Sequence, residues 1–454
     1  MTVLGSRRGN LVRMGALAVL CALGLAACGS SHSTYVTTNG GKPPVREGHA
    51  VRESHTVRIY SSLPLHGPER AESEAIIMGI RVARRQDALN YHVGRYQIEY
   101  KSLNDAGARG WTPAAVVRNA REVALDPQSV AYIGDLDSRA TEYSLPILNQ
   151  AGILQITPGS GYPGLTDRVP GITAADEPSE FYPNRSTRTL LRLIPSDLVE
   201  AAAALEQLQS EHCVHVGAAV FGGGSEATAL QATVAQTARL YGMVYVPPEK
   251  ANQPGSDPQQ YPAYVSYMRS HAVGCFVLIG EVSRQAVALT QAIHAQLPAG
   301  YIVGTSGFCS RSWLGSGTSA VPAAAEGYLL CTSPTLPLTR YPGIRTFMGL
   351  YRQLPGKHPK NPSPYAIYGY QAAEMVLNVV DGFSNATDNR KQTLMRTVGM
   401  SPFPLYSAVL GIKYSFDKSG DTTSHAYGIY GFRDGRLVYE TTLSPKLVIG
   451  PNAG

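Results

Sequence analysis

The glycines of ITPGSGYPGLTD (Ile156 to Asp167) fall at 159, 161 and 164, the G-x-G-x-x-G spacing of a dinucleotide cradle. Such a cradle works because glycine lets backbone N–H groups approach a pyrophosphate at the start of a helix. It must follow a strand, open that helix, and be answered by an acid roughly 20 residues on. Here Pro158 and Pro163 bracket the glycines, and a Pro-rich stretch follows where the helix would be. A nucleotide is therefore not expected. A small anion nest fits the composition, and so does a plain tight turn.

Metal and nucleophile chemistry fare no better. EHCVH brings His212, Cys213 and His215 together, but consecutive strand residues point to opposite faces and no C-x-x-C pair completes a site. There is no G-x-S-x-G elbow, H-E-x-x-H or Walker loop, so neither catalysis nor a cofactor is expected. Of the six cysteines, Cys21 and Cys28 lie near the start of the chain. The remaining four, Cys213, Cys275, Cys309 and Cys331, form a plausible disulfide set in an exported protein.

Export is what the first residues indicate. Arg7, Arg8 and Arg13 precede MGALAVLCALGLAA, an apolar run too short to span a bilayer. It ends in LAAC, which is similar to the lipobox of bacterial lipoproteins, whose cysteine is lipidated and becomes the first residue after cleavage. Residues 1–27 are thus expected to be a signal peptide and Cys28 a lipid anchor. SRRGNLV also faintly resembles a twin-arginine export signal, so the export route stays open. Residues 28–54, rich in Gly, Ser, Thr, Pro and His, cannot bury a core and suit a flexible tether. The three leader arginines account for half of the formal charge of +6, and the nearly balanced remainder argues against nucleic acid as a partner.

From His55 onward, strand-like runs alternate with helical ones. TVRIYSSL, YQIEYKSL, VAYIG and ILQIT read as strands, separated by amphipathic segments such as PERAESEAIIMGIRVARRQ and TPAAVVRNAREVALD. In the latter, Thr112 is the expected N-cap and Pro113 the first helical residue. The rhythm restarts after Pro195 with VHVGAAVF, MVYV, CFVLIG and YIVGTS. This predicts two α/β halves, each a doubly wound sheet of about four parallel strands, with ligand bound outside their carboxyl ends.

Over nearly the whole exported part, the chain resembles the leucine/isoleucine/valine-binding lipoproteins of branched-chain amino acid ABC transporters. LPLHGPERAESEAIIMGIRVA is similar to that family's opening, and VAYIGDLDSRAT followed by AGILQITPGSGYPGLT to its next two signatures. LLRLIPSD and AAEGYLLCTSP resemble two crossover strands, YAIYGYQAAEMVL a late helix of the first lobe, and GIKYSFDKSGD the closing hairpin. The resemblance implies an α/β type I periplasmic-binding-protein fold: two lobes, a three-stranded hinge, and a ligand cleft between them. Lobe one would hold 55–190 with 335–412, and lobe two 196–328 with 413–445. It further implies a monomer that delivers a small polar solute, amino-acid-like or a small carboxylate or amide, to permease subunits at the outer face of the cytoplasmic membrane. A sensing receptor using the same fold without transport is the alternative.

The family's site transfers poorly. Ser138 falls where the family has a serine bonding the ligand carboxylate, and Gly159 and Ser160 where the loop offers backbone N–H groups. Gly161 replaces a threonine, Glu72 and Glu226 fall at tyrosine positions, and Val282 replaces another tyrosine. Ser306 falls where an acid pairs with the ligand ammonium. Either Glu226, Glu281 or Asp137 takes over that pairing, or the ligand is not an ordinary α-amino acid.

For the cysteines, the fold permits a pairing. Cys213 precedes the first strand of lobe two and Cys275 begins the third. In a doubly wound sheet these strands are neighbours about 4.8 Å apart, within reach of a disulfide. A Cys213–Cys275 bridge is therefore expected, leaving Cys309 with Cys331 near the hinge.

Overall fold

The computed structural model describes residues 55–450 apart from 88–91, 94–95, 249–256, 318–319, 384–388, 401–402 and 447. The expected signal peptide, Cys28 and the tether lie outside the described residues.

The elements of the first half are β1 (His55–Leu63), α1 (Arg70–Asp87), β2 (His92–Val93), β3 (Tyr96–Asn104), α2 (Pro113–Leu125), β4 (Ser129–Ile133), α3 (Ser138–Gln150), β5 (Leu154–Thr157) and β6 (Leu190–Arg192). The second half contributes α4 (Asp197–Ser210), β7 (His215–Phe221), α5 (Ser225–Leu240), β8 (Val244–Tyr245), α6 (Tyr261–Ser270), β9 (Cys275–Gly280), α7 (Arg284–Gln296), β10 (Tyr301–Gly304) and β11 (Leu329–Ser333). Then come α8 (Ile344–Tyr351), α9 (Ala366–Asp381), α10 (Asn389–Met400), β12 (Leu405–Ser407), β13 (Ile412–Tyr414), β14 (Tyr427–Arg433) and β15 (Arg436–Leu443).

Two twisted sheets result. One runs β2-β3-β1-β4-β5-β6, the other β15-β14-β11-β10-β9-β7-β8. Each contains five parallel strands, one more than the sequence rhythm indicates, with antiparallel strands added at one edge. Side chains alternate across them as a doubly covered sheet requires. On β9, Phe276 and Leu278 enter one apolar core, whereas Cys275, Val277 and Ile279 enter the core on the opposite face. On β1, Val57 and Ile59 meet α1 and α9, while Tyr60 faces the α2 and α3 side. Backbones of α1 and α9 approach closely because each presents a glycine. A Cβ on Gly79 would lie 1.9 Å from the Ala366 carbonyl oxygen, and one on Gly369 2.0 Å from that of Ile76.

The helix starts follow from capping chemistry. Thr112 Oγ1 accepts the N–H of Ala115 at 3.3 Å, with Pro113 as the first helical residue of α2. Asp137 caps α3 by accepting the Arg139 N–H at 2.8 Å, which leaves Ser138 as the first residue of that helix.

Three segments cross between the sheets. The first leaves β6 and enters α4; the second leaves β11; the third runs from Phe416 to Tyr427. The first and third are joined through the backbone, Arg192 donating to Gly420 O at 2.9 Å and Thr422 donating to Arg192 O at 3.2 Å. Tyr430 Oη, on β14, holds the second by donating to Thr335 O at 3.1 Å. The chain stays with lobe one slightly past the boundary expected at 413. There β13 pairs with β12, and Tyr414 and Phe416 pack on the lobe-one core, so only the β14–β15 hairpin joins the second sheet. Both disulfides lie in lobe two. Cys213 and Cys275 are bonded with Cα atoms 6.1 Å apart, where β7 and β9 lie side by side, and Cys309 is bonded to Cys331 at 5.4 Å.

Candidate functional site: an acid-lined cleft between the lobes

The carboxyl ends of β4 and β5 carry the lobe-one wall. After β5, the loop that begins at Pro158 folds back on itself, and its N–H groups find partners at once. Those of Gly159 and Ser160 are donated to Thr157 Oγ1 at 3.3 and 3.0 Å. Those of Gly161 and Tyr162 are donated to Ser138 Oγ at 3.0 and 3.1 Å. Ser138, buried at the start of α3, then gives its own hydrogen to Glu226 Oε1 at 2.6 Å. Glu226 stands on α5 in the other lobe, so this single bond spans the cleft. Ser225 makes a second bridge, donating to Glu142 Oε1 at 2.6 Å.

Gly161 is where the resemblance leads one to expect a threonine, and the structure supplies the reason for its absence. A Cβ there would sit 1.8 Å from Asp197 Oδ1. The space of a side chain is taken by an acid from the first turn of α4, whose N–H also donates to Gly161 O at 2.9 Å. Asp197 is 5 % exposed, and its Oδ2 receives no hydrogen bond. Three residues on, Glu200 is equally buried. Its Oε1 accepts the Ser306 N–H at 2.7 Å and the Thr332 hydroxyl at 2.7 Å. Ser306, lacking the acid expected at its position, thus touches an acid borne on another element.

Arg192 holds this arrangement from behind. Fully buried, its guanidinium pairs with both oxygens of Asp421, Nη2 lying 2.8 Å from Oδ1, and Nη1 donates to the carbonyls of Ser160 and Tyr162 at 3.3 and 2.9 Å. One arginine therefore ties the glycine loop to the third crossover. Around the loop, Leu145, Tyr162 and Leu165 of lobe one share an apolar cluster with Leu198 and Ala229 of lobe two.

Glu69 and Glu72, at the start of α1, complete the wall of lobe one. Burial, then the charges of Asp137, Glu281 and Glu72, push the Glu69 carboxyl up to about 8. Burial also raises Glu72, whose Oε2 is enclosed without a hydrogen-bond donor. In lobe two, burial raises Asp197 further with the help of Glu200, against the pull of Arg192. Burial raises Glu200 and Glu226 as well, although hydrogen bonds from Thr332 and Ser306 to the first, and from Ser138 to the second, oppose it. The Tyr365 phenol, at the start of α9, is raised by burial and then by the charges of Glu72, Glu200 and Glu69, so acids of both lobes act on one ring. Glu281 lies exposed after β9.

The structure thus brings together Ser138, Gly159, Ser160, Gly161 and Glu226, and sets Ser306 beside Glu200. Val282 packs against the lobe-two core. Sequence reasoning missed Asp197, Glu200, Glu69, Tyr365 and Arg192. Acids in the first turn of a helix read as ordinary dipole partners, and only the three-dimensional approach of Gly161 marks Asp197 as different. A shallow depression of about 550 Å³ lies elsewhere, on lobe one, lined by Arg58, Tyr100 and Lys101. Arg58 is paired there with Glu99 and Asp126, and Lys101 with Glu122 at 2.6 Å. Among the described residues, no three His, Cys, Asp or Glu side chains converge as a metal site needs, and no helix is long and apolar enough to cross a membrane.

Two parallel-sheet lobes, three crossovers and a polar cleft at the strands' carboxyl ends define a two-lobed solute-binding protein. The chain belongs to the periplasmic binding protein family, whose profile matches residues 63–436. Its fold is shared with an ABC transporter substrate-binding protein from Desulfitobacterium hafniense in complex with Leu (17 % identity, TM-score 0.64, covering 85 % of this chain and 100 % of that one). It is shared equally with the leucine-binding protein LivK of Thermotoga maritima (18 %, 0.64, 86 % and 99 %). A solute-binding protein from R. palustris in complex with 4-hydroxybenzoate is as similar (13 %, 0.64, 86 % and 98 %). No curated protein matches the sequence.

Proposed function

We propose that this chain is the extracytoplasmic solute-binding component of an ABC importer. A lipid on Cys28 holds it at the outer face of the cytoplasmic membrane, and residues 29–54 give the lobes reach. The bodies 55–190 with 335–416, and 196–328 with the β14–β15 hairpin, swing about the three crossovers and close on a small polar solute. The closed form is what permease subunits engage, and the chain catalyses no reaction. Ser138, Gly159, Ser160, Gly161, Glu72, Glu226, Val282 and Ser306 border the cleft in this reading. The observation that carries it is the Ser138–Glu226 hydrogen bond, which joins the lobes at the carboxyl ends of the sheets. Relatives of this fold hold leucine or 4-hydroxybenzoate, so solutes of that size are expected here.

The test is native mass spectrometry of the protein purified from its own host. A small molecule retained in the folded protein and released on unfolding is expected. Its absence, together with unchanged uptake of every solute in a strain lacking the gene, would contradict the proposal.

A further inference from the structure

We infer that the solute taken into this cleft is an organic cation, an ammonium or guanidinium compound without a carboxylate beside its charge. The inference rests on the solute-binding reading above and names the class of solute.

Consider first what an anion would need. The N–H groups of Gly159, Ser160, Gly161 and Tyr162 are donated to Thr157 and Ser138. The Ser138 hydrogen goes to Glu226. A carboxylate of the protein's own, supplied by lobe two, therefore occupies the donor at the centre of the lobe-one wall. A ligand carboxylate would have to expel it and then lie beside Asp197.

Next consider what the cleft leaves unmet. Asp197 is buried beside Gly161 with Oδ2 unpartnered, and Glu72 Oε2 on the facing lobe is enclosed in the same state. The donors of Ser306 and Thr332 both go to one oxygen of Glu200. Burying a carboxylate without a partner costs several kcal/mol, so such a group takes up either a proton or a cation. The arginines nearby are occupied. Arg192 is engaged by Asp421 and two carbonyls, while Arg139 lies 3.6 Å from Asp137, reaches Gly223 O and stacks over Trp111. The charge of Arg192 favours the ionised form of Asp197, yet neither arginine donates to Oδ2, which stays without a hydrogen-bond partner.

The kind of cation follows from the spread of the acids. They come from α1, α4 and α5, without the tight convergence of a metal site among the described residues. Tyr365 stands in the field of Glu72, Glu200 and Glu69, and an aromatic ring beside carboxylates suits an ammonium group and its apolar stem.

The experiment is a thermal-shift panel on the purified full-length protein at pH 7.5, with putrescine, spermidine, agmatine and choline set against leucine, 4-hydroxybenzoate and calcium. At least one organic cation should raise the melting temperature by several degrees, whereas leucine, 4-hydroxybenzoate and calcium should not. Asp197→Asn should weaken that cation about tenfold or more. Should that variant fail to fold, Glu72→Gln reads the same requirement from lobe one. A shift with leucine or 4-hydroxybenzoate alone would overturn the cation inference and leave solute binding standing. A shift with calcium equal to that of the amines would overturn it too. No shift with any cation would overturn it whatever else binds, and the retained molecule sought by mass spectrometry decides separately whether the protein is a solute carrier.

Discussion

The two walls of the cleft are finished to different degrees. On the lobe-one wall the glycine loop is closed upon itself. Its N–H groups meet hydroxyls, its carbonyls meet Arg192, and glycines sit where a Cβ would strike Leu136 or Asp197. On the lobe-two wall, the first turn of α4 presents buried acids with an oxygen left over. A saturated polar network fixes a shape; an unsaturated one states a requirement. This loop, whose glycines look like an anion cradle in the sequence, acts here as scaffold, and in the solute reading proposed above the unpartnered acids of α4 and α1 do the recognising.

Breaking the scaffold should have the largest effect. Arg192→Met would strand Asp421 and release two loop carbonyls, at a cost of about 3–5 kcal/mol, the usual penalty for opening a buried ion pair. Urea denaturation measures it. A loss below about 1 kcal/mol would mean that the loop is held by its apolar cluster alone.

A smaller effect is expected at Ser138. Ser138→Ala removes the acceptor for two N–H groups and the donor to Glu226, so the ligand-free protein should lose about 1–3 kcal/mol. Unaltered ligand-free stability, combined with lost binding of leucine, would return Ser138 to the role of ligand donor.

Much of this fold can be read from the residues. Strand runs of Val, Ile and Ala alternating with amphipathic helices dictate two doubly wound sheets, and Thr112–Pro113 marks a helix start that the capping geometry repeats. Neighbouring first and third strands bring Cys213 to Cys275. The site was legible only in part. Ser138, Gly161 and Glu226 carry local patterns, and they do meet. Their bonding to one another was invisible, because it depends on how far α5 reaches across the cleft. Asp197 and Glu200 sit in PSDLVEAAAALE, where acids at a helix start need no special explanation. What distinguishes them is burial, which arises from Gly161, Thr332 and Ser306 on segments distant in sequence.

The excess of buried acid over positive charge in the cleft is read most simply from the melting temperature of the ligand-free protein between pH 5 and 8.5. Asp197 faces Glu200 on its own helix, Glu226 on α5 and Arg192 on β6, and the acids among these are raised by burial above their unfolded values. A raised carboxyl binds more protons when folded than when unfolded. Its stabilisation is therefore complete below the unfolded value of about 4 and is lost as pH climbs through the folded one. Glu69, at about 8, extends that loss across neutrality. Melting temperature should fall steadily from pH 5 to 8.5, and the fall should be shallower in the Asp197→Asn, Glu200→Gln double variant. A melting temperature that rises or stays level over this range, or a double variant with the same slope as the wild type, would contradict the account.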